Sequence, residues 1–297
     1  QTSPDCSRPW RARNLAFTTD PTISLDDQAA RAGWLSYVGG LTQDQIATEL
    51  GVSRQRAQRL VSRAMSEGLI HVRLNDPIAA CLRLEAELVR RYGLGHCRVS
   101  PSLGPGADPN RAIAGPAAAL IESFLRRPEP LTIALGTGRA LRAAVEALEP
   151  VEAPQHRIVS LIGNIAPDGS ASFFDVIMRI ADKVHAPHFP MPVPVLSDTP
   201  EERAMFHGLR VVRDVVDLAR SADVTFVGVG QMGDDAPLHK DGFLSDTQLH
   251  AMQDRGAAGE VAGWVFDAQG VYFKTGTNER VGGVRVEPGQ AAPGIGI

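Results

Sequence analysis

Residues 41–74 read LTQDQIATELGVSRQRAQRLVSRAMSEGLIHVRL, and this segment carries the signals of two short helices joined by a tight turn. Thr42 is placed to cap the first helix, because its hydroxyl can accept a backbone N–H, and Gln45 completes a capping box. Gly51 can adopt the left-handed conformation that ends this helix, and Ser53 can cap the next one. The spacing therefore predicts a helix-turn-helix motif.

The second helix of this motif has a polar outer face that suits a DNA duplex. Arg can donate two hydrogen bonds to guanine, Gln can pair with adenine, and Arg also neutralises phosphate. We therefore interpret the motif as DNA-binding, with Leu69–Leu74 as a wing. An ordinary helical hairpin with a solvated Arg/Gln face is the alternative. The predicted DNA-binding residues are Thr42, Gln43, Ser53, Arg54, Gln55, Gln58, Arg59 and Arg63.

The charge is distributed unevenly along the 297 residues, whose net charge is −4. Residues 1–75 hold nine Arg against seven acidic residues, which gives +2, whereas residues 76–297 hold 21 basic and 27 acidic residues, which gives −6. A mildly basic first part and an acidic remainder fit a compact DNA-binding domain followed by a regulatory domain that does not bind DNA.

The cysteine content and the hydropathy favour a cytoplasmic protein. The three cysteines, Cys6, Cys81 and Cys97, show no CxxC spacing and leave one without a partner, which favours a reducing compartment. The sequence has no run of 18 apolar residues, and its N-terminus lacks the apolar core of a signal peptide. We therefore predict neither a membrane span nor export.

Three further segments complete the first part of the chain. Residues 1–23 hold Pro and Arg without periodicity and are predicted to form a flexible tail. Leu25–Val38 has the spacing of a third helix, which completes a helix-turn-helix domain over residues 24–76. Ile78–Tyr92 is an amphipathic helix in a segment, 77–95, that is either an oligomerisation linker or the start of the next domain.

Short apolar strands alternate with helices in residues 96–297, which predicts an α/β domain with a parallel sheet. The final segment, residues 288–297, is rich in Pro and Gly. The predicted strands are Cys97–Val99, Leu131–Leu135, Arg157–Ile162, the Pro-broken His188–Val195, Val224–Val229, and a hairpin of Val261–Asp267 with Val271–Phe273. The predicted helices are Ala112–Leu125, Ala140–Leu148, Phe173–Val184, Pro200–Phe206, Leu209–Ser221 and Thr247–Arg255.

Three of the predicted strands end in loops that contain Gly. In an open α/β sheet, ligands bind outside the carboxyl ends of the strands, and Gly lets backbone N–H groups approach an anion. An anionic small-molecule site is therefore predicted, although tight structural turns would also use Gly. GTGRAL at 136–141 lacks the third Gly of a dinucleotide fingerprint. The candidate loop residues are Gly136, Thr137, Gly138, Arg139, Gly163, Asn164, Gly230 and Gln231.

Glu260 is a further candidate, because a carboxylate before a late strand can accept hydrogen bonds from sugar hydroxyls; a plain loop acid is the alternative. No catalytic residue, metal site or cofactor is predicted. His185 and His188 are separated by Pro187, which prevents a helical metal pair. Asp241 and its acidic neighbours are interpreted as a solvated loop.

The ordered set of motifs resembles the SorC family of sugar-responsive bacterial transcription regulators over residues 25–290. The motifs are the helix-turn-helix, GTGRAL, LIGNIAPDG, PVLSDTPEE, FVGVGQMG, GEVAGWVFDAQG and TNERVGG. The resemblance implies a Rossmann-like effector domain over residues 96–297, similar to sugar-phosphate isomerases and CoA transferases. It also implies a phosphorylated sugar as ligand, and dimers or tetramers on a DNA operator. It assigns Gly136–Arg139 to the phosphate loop, Gly163 and Asn164 to a second ligand loop, and Glu260 to the acidic position.

Two departures from the family pattern bear on the ligand. Ala140 stands where family members commonly carry Thr, which removes one hydroxyl donor. Family members also continue beyond the position of Ile297 with a Gly-rich loop, a Lys that closes the ligand site, and a last helix and strand. An effector domain that is short at its C-terminus is therefore expected, with altered ligand affinity or specificity.

The sequence thus predicts a DNA-binding regulator of carbohydrate metabolism genes whose operator affinity responds to a phosphorylated sugar. It predicts no enzyme activity. Two alternatives stay open at this point. One is an enzyme similar to sugar-phosphate isomerases with an accessory DNA-binding domain, and the other is a constitutive DNA-binding protein whose sensor has decayed.

Overall fold

The computed structural model describes residues 24–69, 77–171 and 176–297, and the chain divides into two compact units at Ala79 and Ala80. The predicted tail and most of the predicted wing, residues 70–74, lie outside the described residues. The predicted domain boundaries stay predictions. Within the described ranges, no helix is both long enough and apolar enough to cross a membrane.

The first unit is a bundle of three helices, which confirms the helix-turn-helix. The helices are α1 (Leu25–Tyr37), α2 (Gln43–Leu50) and α3 (Arg54–Ser66). Apolar side chains at helical spacing meet in one small core. The core includes Ala29, Ala32, Ile46, Ala57, Leu60, Val61 and Ala64.

The helix ends follow the predicted capping chemistry. The Thr42 hydroxyl accepts from the Gln45 N–H, and the Gln45 side chain accepts from the Thr42 N–H, so the capping box is complete. Gly51 ends α2 with φ +63°, and the Ser53 hydroxyl accepts from the Arg56 N–H at the start of α3. Local sequence therefore sets the turn between the two helices.

Helix α4 (Pro77–Tyr92) agrees with the predicted helix, but the strand predicted over Cys97–Val99 is wrong. This segment has no strand partner, because its backbone bonds to a side chain of α4 instead. The Val99 N–H donates to Glu85 Oε1 at 3.0 Å, and Arg98 pairs with the same carboxylate. The extended segment is thus attached to a helix and not to the sheet.

The second unit is built on a five-stranded parallel sheet with the order β3-β2-β1-β4-β8. The chain passes from β1 outward to β2 and β3 on one side, and then crosses back to β4 on the other side. The strands are β1 (Thr132–Leu135), β2 (Arg157–Ile165), β3 (His188–Pro194), β4 (Val224–Val227) and β8 (Gly294–Gly296).

Helices cover both faces of this sheet, as expected for parallel strands. Successive residues of β1 alternate between two cores: Ile133 and Leu135 face one, and Ala134 faces the other. The first core receives α5 (Pro109–Leu125), α6 (Arg139–Glu146) and α7 (Ile177–Val184). The second receives α9 (Arg210–Arg220), which follows α8 (Pro200–Gly208).

A three-stranded antiparallel sheet follows β4 in the order β5-β6-β7. Its strands are β5 (Gly230–Gln231), β6 (Ala257–Val261) and β7 (Trp264–Asp267). Between β5 and β6 lie the short helix α10 (Pro237–Lys240) and α11 (Asp246–Gln253), and a 3-10 helix spans Gly276–Arg280.

The predicted hairpin of Val261–Asp267 with Val271–Phe273 is confirmed at its closed end and wrong at its start. Phe266 and Tyr272 form an antiparallel bridge. The Asp267 N–H donates to the Val271 carbonyl and the Phe273 N–H to the Val265 carbonyl, both at 3.1 Å. The first predicted strand is, however, divided by a turn at Ala262 and Gly263, which both have positive φ (51° and 83°), and this turn pairs β6 with β7. The sequence pattern missed this turn because Ala at a positive φ is uncommon and gives no turn signal.

Strand β8 is absent from the sequence prediction. Its residues are mostly Gly, which has no side chain to produce an alternating pattern, yet Ile295 pairs in register with Phe226 of β4. Tertiary pairing at the sheet edge therefore defines this strand, and local propensity does not.

Strand β2 continues through Gly163 and Asn164, where a loop was predicted. A Cβ on Gly163 would overlap the carbonyl groups of Val193 and Pro194, and the β2–β3 register is irregular at this point. Gly163 is therefore required by the close approach of two strands. A ligand-binding role for it stays a prediction.

We expect Gly163→Ala to lower the free energy of unfolding by about 1–3 kcal/mol, because the added methyl group meets backbone atoms that cannot move aside independently. Gly208→Ala is the matched control, since a Cβ at this position in α8 has no neighbour within 4 Å. Urea unfolding of both variants measures the difference. Equal stability of the two variants would contradict the proposed steric role of Gly163.

Candidate DNA-binding and effector sites

Helix α3 presents most of the predicted DNA-binding residues on its exposed face. Gln55, Gln58 and Arg59 are all exposed, on the side opposite the buried Ala57 and Leu60. Long polar side chains on the outside of the second helix are the arrangement that reads base edges in a major groove. The structure thus brings these three side chains to one surface, and their contact with DNA stays a prediction.

Other predicted DNA-binding residues have contacts within the domain. The Arg63 guanidinium pairs with Asp26 of α1 at 3.0 Å, and Arg54 pairs with Asp44 of α2 at 3.5 Å. The exposed Arg54–Asp44 pair is weak and can exchange readily for a phosphate. Arg63 is less exposed than Arg54, so its pairing with α1 supports a structural contribution. Gln43 is half-buried at the start of α2.

The remaining two predicted DNA-binding residues act as helix caps. The hydroxyls of Thr42 and Ser53 accept backbone N–H groups at the starts of α2 and α3. Each cap holds the first turn of its helix in place, and the positive end of a helix favours a nearby phosphate. Their contribution to DNA binding is therefore expected to be through backbone geometry.

The effector candidates gather where β1 and β4 end side by side. Because β1 is followed outward by β2, and β4 lies on its other side, the crevice at these carboxyl ends is a topological switch point. The Gly136 N–H donates to the Phe226 carbonyl of β4 at 2.8 Å. A Cβ on Gly228 would lie 3.1 Å from the Thr137 carbonyl oxygen. The loop after β1 and the loop after β4 therefore lie against each other.

The loop after β1 leads directly into α6. Gly138 precedes this helix with φ +118°, a conformation that favours Gly, and Arg139 is the first helical residue. The eight residues of α6 direct their positive end toward the crevice, together with a guanidinium. This arrangement can bind an oxyanion.

Arg139 is paired with Asp241, which is 102 residues away in sequence. The distance from Arg139 Nη2 to Asp241 Oδ1 is 2.7 Å, and that from Nη1 to Oδ2 is 3.4 Å. Sequence reasoning interpreted Asp241 as part of a solvated loop and missed this contact. No sequence signal could have found it, because α10 and the turn after it are positioned by tertiary packing.

Glu260 lies on β6 and its carboxylate reaches toward β5. Its Oε2 atom accepts from the Gly263 N–H at 2.8 Å, and a Cβ on Gly230 would overlap the carboxylate. Burial raises the pKa of Glu260, and the negative charge of Asp241 raises it further, against the opposing hydrogen bond from Gly263. Glu260 and Asp241 therefore belong to the same electrostatic environment, which contains Arg139.

Gln231 is engaged within its own loop. Its Nε2 atom donates to Asp235 at 2.8 Å, and its Oε1 atom accepts from the Gly233 N–H. Lys240 also contacts Asp235, at 3.0 Å, and this hydrogen bond lowers the pKa of Asp235. The structure thus places Gln231 beside the effector candidates as a support for the loop.

Asn164 is half-buried on the part of β2 that extends beyond the end of β1. It lies at the carboxyl edge of the sheet, as the effector interpretation requires, although in a strand and not in a loop. Its role as a ligand contact stays a prediction.

A separate cavity of about 440 Å³ lies between α8, α9 and residues 283–290, and none of the predicted site residues lines it. Arg203, His207, Arg220 and Arg285 contribute to its wall. Burial lowers the pKa of His207, and the charge of Arg203 lowers it further. The His207 side chain also hydrogen-bonds the Gly282 carbonyl, which ties α8 to the segment after the 3-10 helix.

Comparison with known proteins agrees with both units. Residues 76–297 match the family model described as "Putative sugar-binding domain", and residues 28–77 match that of the MarR family. The erythritol catabolism regulatory protein EryD of Brucella abortus is 33% identical over 262 residues, which cover 88% of this chain and 83% of that protein. The chain belongs to the SorC family of sugar-binding transcriptional regulators.

Other members of this family support the same assignment. The transcriptional regulator LsrR of Klebsiella pneumoniae is 30% identical over 251 residues, with coverage of 84% of this chain and 75% of LsrR. The full-length sorbitol operon regulator SorC from Klebsiella pneumoniae matches the structure with a TM-score of 0.60 and 25% identity, and covers 86% and 83% of the two chains. The predicted family and fold class are confirmed.

We expect Glu260→Gln to change how stability depends on pH. The raised pKa means that the folded SorC-type domain favours the protonated carboxyl, so the wild-type protein loses stability as pH rises through the pKa of the folded state. Gln keeps the acceptor for Gly263 and cannot ionise. The melting temperature of the variant relative to wild type should therefore be higher at about pH 7.5 than at about pH 4.

Thermal melts of both proteins in matched ionic strength measure this difference. Glu279→Gln, at an exposed residue of the 3-10 helix, is the charge-matched control. A difference for Glu260→Gln that does not vary with pH would show that the carboxyl titrates normally.

Proposed function

We propose that this SorC-family regulator binds a double-stranded DNA operator through α2 and α3, and that a phosphorylated sugar bound between the ends of β1 and β4 changes its operator affinity. The observation that carries the effector part is the meeting of the Gly136–Arg139 loop, the positive end of α6 and Glu260 in one crevice. These groups offer one anion-binding end and one acceptor end, which suits a sugar that carries both a phosphate and hydroxyl groups.

Each end of such a ligand has an assigned partner. The phosphoryl group would receive hydrogen bonds from the backbone of Gly136–Gly138 and from the Arg139 guanidinium. The Glu260 carboxyl would accept hydrogen bonds from sugar hydroxyls. The names of the relatives EryD and SorC refer to erythritol and sorbitol, and the same class of polyhydroxylated metabolite is our proposal for this chain.

The oligomer is proposed to be a homodimer or homotetramer, because operator half-sites reflect the two-fold symmetry of the bound protein. Helix α4 supports this proposal with exposed apolar side chains, among them Ile78 and Leu82, one turn apart. An operator-binding protein acts where the chromosome lies, so we propose a cytoplasmic location.

Regulation is proposed in place of catalysis, since the relatives are named as transcriptional regulators. Absence of turnover with a panel of sugar phosphates is the expected result, and product formation would favour the enzyme alternative. A sugar phosphate that raises the melting temperature would contradict the decayed-sensor alternative, because only binding to the folded state stabilises it.

We expect Arg59→Ala to weaken operator binding by about 1–3 kcal/mol, the contribution of one good base contact. Fluorescence anisotropy with DNA from immediately upstream of the protein's own gene, at fixed salt, measures the change. Arg31→Ala removes the same charge from the exposed surface of α1 and is the matched control. If Arg59→Ala binds the operator as tightly as the wild type, the assignment of α3 as the helix that contacts the operator bases is contradicted.

We expect Arg139→Ala to abolish the response to the sugar phosphate and to leave operator binding intact, because Arg139 lies in the effector domain. The assay is the same anisotropy titration with and without the sugar phosphate that shifts the wild-type protein. Arg142→Ala is the control, since this Arg lies on the same helix and pairs with Glu146 at 2.8 Å. A full response from Arg139→Ala would contradict the phosphate assignment.

A further inference from the structure

The guanidinium assigned to the effector's phosphate is in contact with an acidic side chain of the protein itself. Asp241 presents both carboxylate oxygens to Arg139, at 2.7 and 3.4 Å from the two terminal nitrogens. This two-pronged geometry is the one that Arg uses to bind a phosphate. The carboxylate thus occupies the same hydrogen-bonding edge that an oxyanion would use.

The two partners differ in exposure. The Arg139 side chain is 41% exposed, whereas the Asp241 side chain is 18% exposed. A ligand can therefore reach the guanidinium from solvent, while the carboxylate is presented from the protein side. The pair is partly accessible, so its members can exchange partners more easily than a fully buried pair.

The segment that carries Asp241 has its own supports. The Asp241 N–H donates to the Pro237 carbonyl at the end of α10, and Gly242 turns the chain with φ +78°. Lys240 pairs with Asp235 at 3.0 Å, and His239 pairs with Asp246 at 2.6 Å. These contacts do not involve Arg139, so α10 and its turn stay folded when Arg139 takes another anion, although the segment then has one contact fewer with the rest of the domain.

Asp241 also opposes the second carboxylate of the crevice. Burial raises the pKa of Glu260, and the negative charge of Asp241 raises it further, as expected for two nearby groups of like charge. Asp241 therefore interacts with both Arg139 and Glu260. A phosphate that enters this environment meets the negative charge of Asp241 in addition to the competition for Arg139.

From these contacts we propose that Asp241 is an internal competitor of the effector, which occupies the anion-binding edge of Arg139 and must be exchanged for the effector's phosphoryl group. This inference rests on the proposed function. A phosphoryl group offers three oxygens and about two negative charges, so it can replace a single carboxylate. An uncharged sugar offers nothing that replaces the carboxylate on Arg139. Asp241 therefore weakens the binding of any ligand at Arg139 and favours ligands that carry a phosphoryl group over those that do not.

The exchange has a structural consequence for the effector domain. Asp241 lies in the segment that connects β5 with α11, and β5 pairs with the strand that carries Glu260. Release of Asp241 from Arg139 would therefore loosen one end of the segment between β5 and α11. The other end of this segment, at Gly230, lies against the carboxyl of Glu260. This couples occupation of the phosphate position to the conformation of the small sheet.

The test is Asp241→Asn in the full chain, with inorganic phosphate and a panel of phosphorylated sugars as probes in isothermal titration calorimetry. Asn keeps the shape of the side chain and removes its charge. We expect phosphate and any phosphorylated sugar that binds the wild type to bind the variant at least about tenfold more tightly, because the competing charge-assisted pair is gone. The non-phosphorylated sugars should show no comparable gain.

Two further variants control this result. Asp241→Glu retains the charge and should keep an affinity near that of the wild type. Asp214→Asn removes a carboxylate from an exposed pair on α9 and should leave phosphate binding unchanged. Far-ultraviolet circular dichroism and thermal melts verify that each variant is folded; if Asp241→Asn does not fold, Asp241→Ser replaces it in the same titrations.

The outcomes separate this inference from the proposed function. Wild-type binding of a phosphorylated sugar with unchanged or weaker binding by Asp241→Asn would overturn the competitor role and leave the effector site in place. Equal gains in phosphate affinity for Asp241→Asn and Asp214→Asn would show that the effect arises from net charge alone. This result would also overturn the inference. No binding of any probe by either the wild type or Asp241→Asn would overturn both proposals.

Discussion

The pairing of β1 with β2 on one side and β4 on the other is the interaction on which the effector domain depends. It brings the carboxyl ends of β1 and β4 together, although about 90 residues separate the two strands in the chain. Because the chain continues from β1 to β2 on one side while β4 lies on the other side, these ends form a topological switch point, where open α/β sheets bind ligands. The Gly loops after the two strands contact each other there, and α6 begins at the same point.

The crevice at the carboxyl ends of β1 and β4 contains charged groups of both signs. Arg139 is paired with Asp241, and the pKa of Glu260 is raised by burial and, to a smaller extent, by the charge of Asp241. We propose that such a site discriminates between ligands by charge, because a phosphate can replace Asp241 on Arg139 and a neutral polyol cannot. Within a SorC-family regulator, this exchange offers a physical link between ligand chemistry and the conformation of the small sheet.

In the DNA-binding unit, in contrast to the effector domain, local sequence determines the helix caps and the turn between α2 and α3. The capping box at Thr42, the left-handed Gly51 and the cap at Ser53 are each formed by residues within four positions of one another. The turn that orients α3 and its predicted DNA-binding side chains is therefore set mainly by local contacts, with little contribution from distant parts of the chain. Arg63 and Arg56 are exceptions, since their contacts with Asp26 and Gln28 join helices far apart in sequence.

The sequence by itself determined the fold class, the ends of α2 and the start of α3, the four strands β1–β4 and the loop that carries Arg139, because caps, glycines and apolar periodicity are local signals. Only the tertiary structure decided the edge strand β8, the tight approach at Gly163 and the pairing of Arg139 with Asp241. Each of these depends on backbone or side-chain contacts between segments that are distant in sequence or lack side chains to signal them. Local preference carries no information about such contacts, so packing alone establishes them.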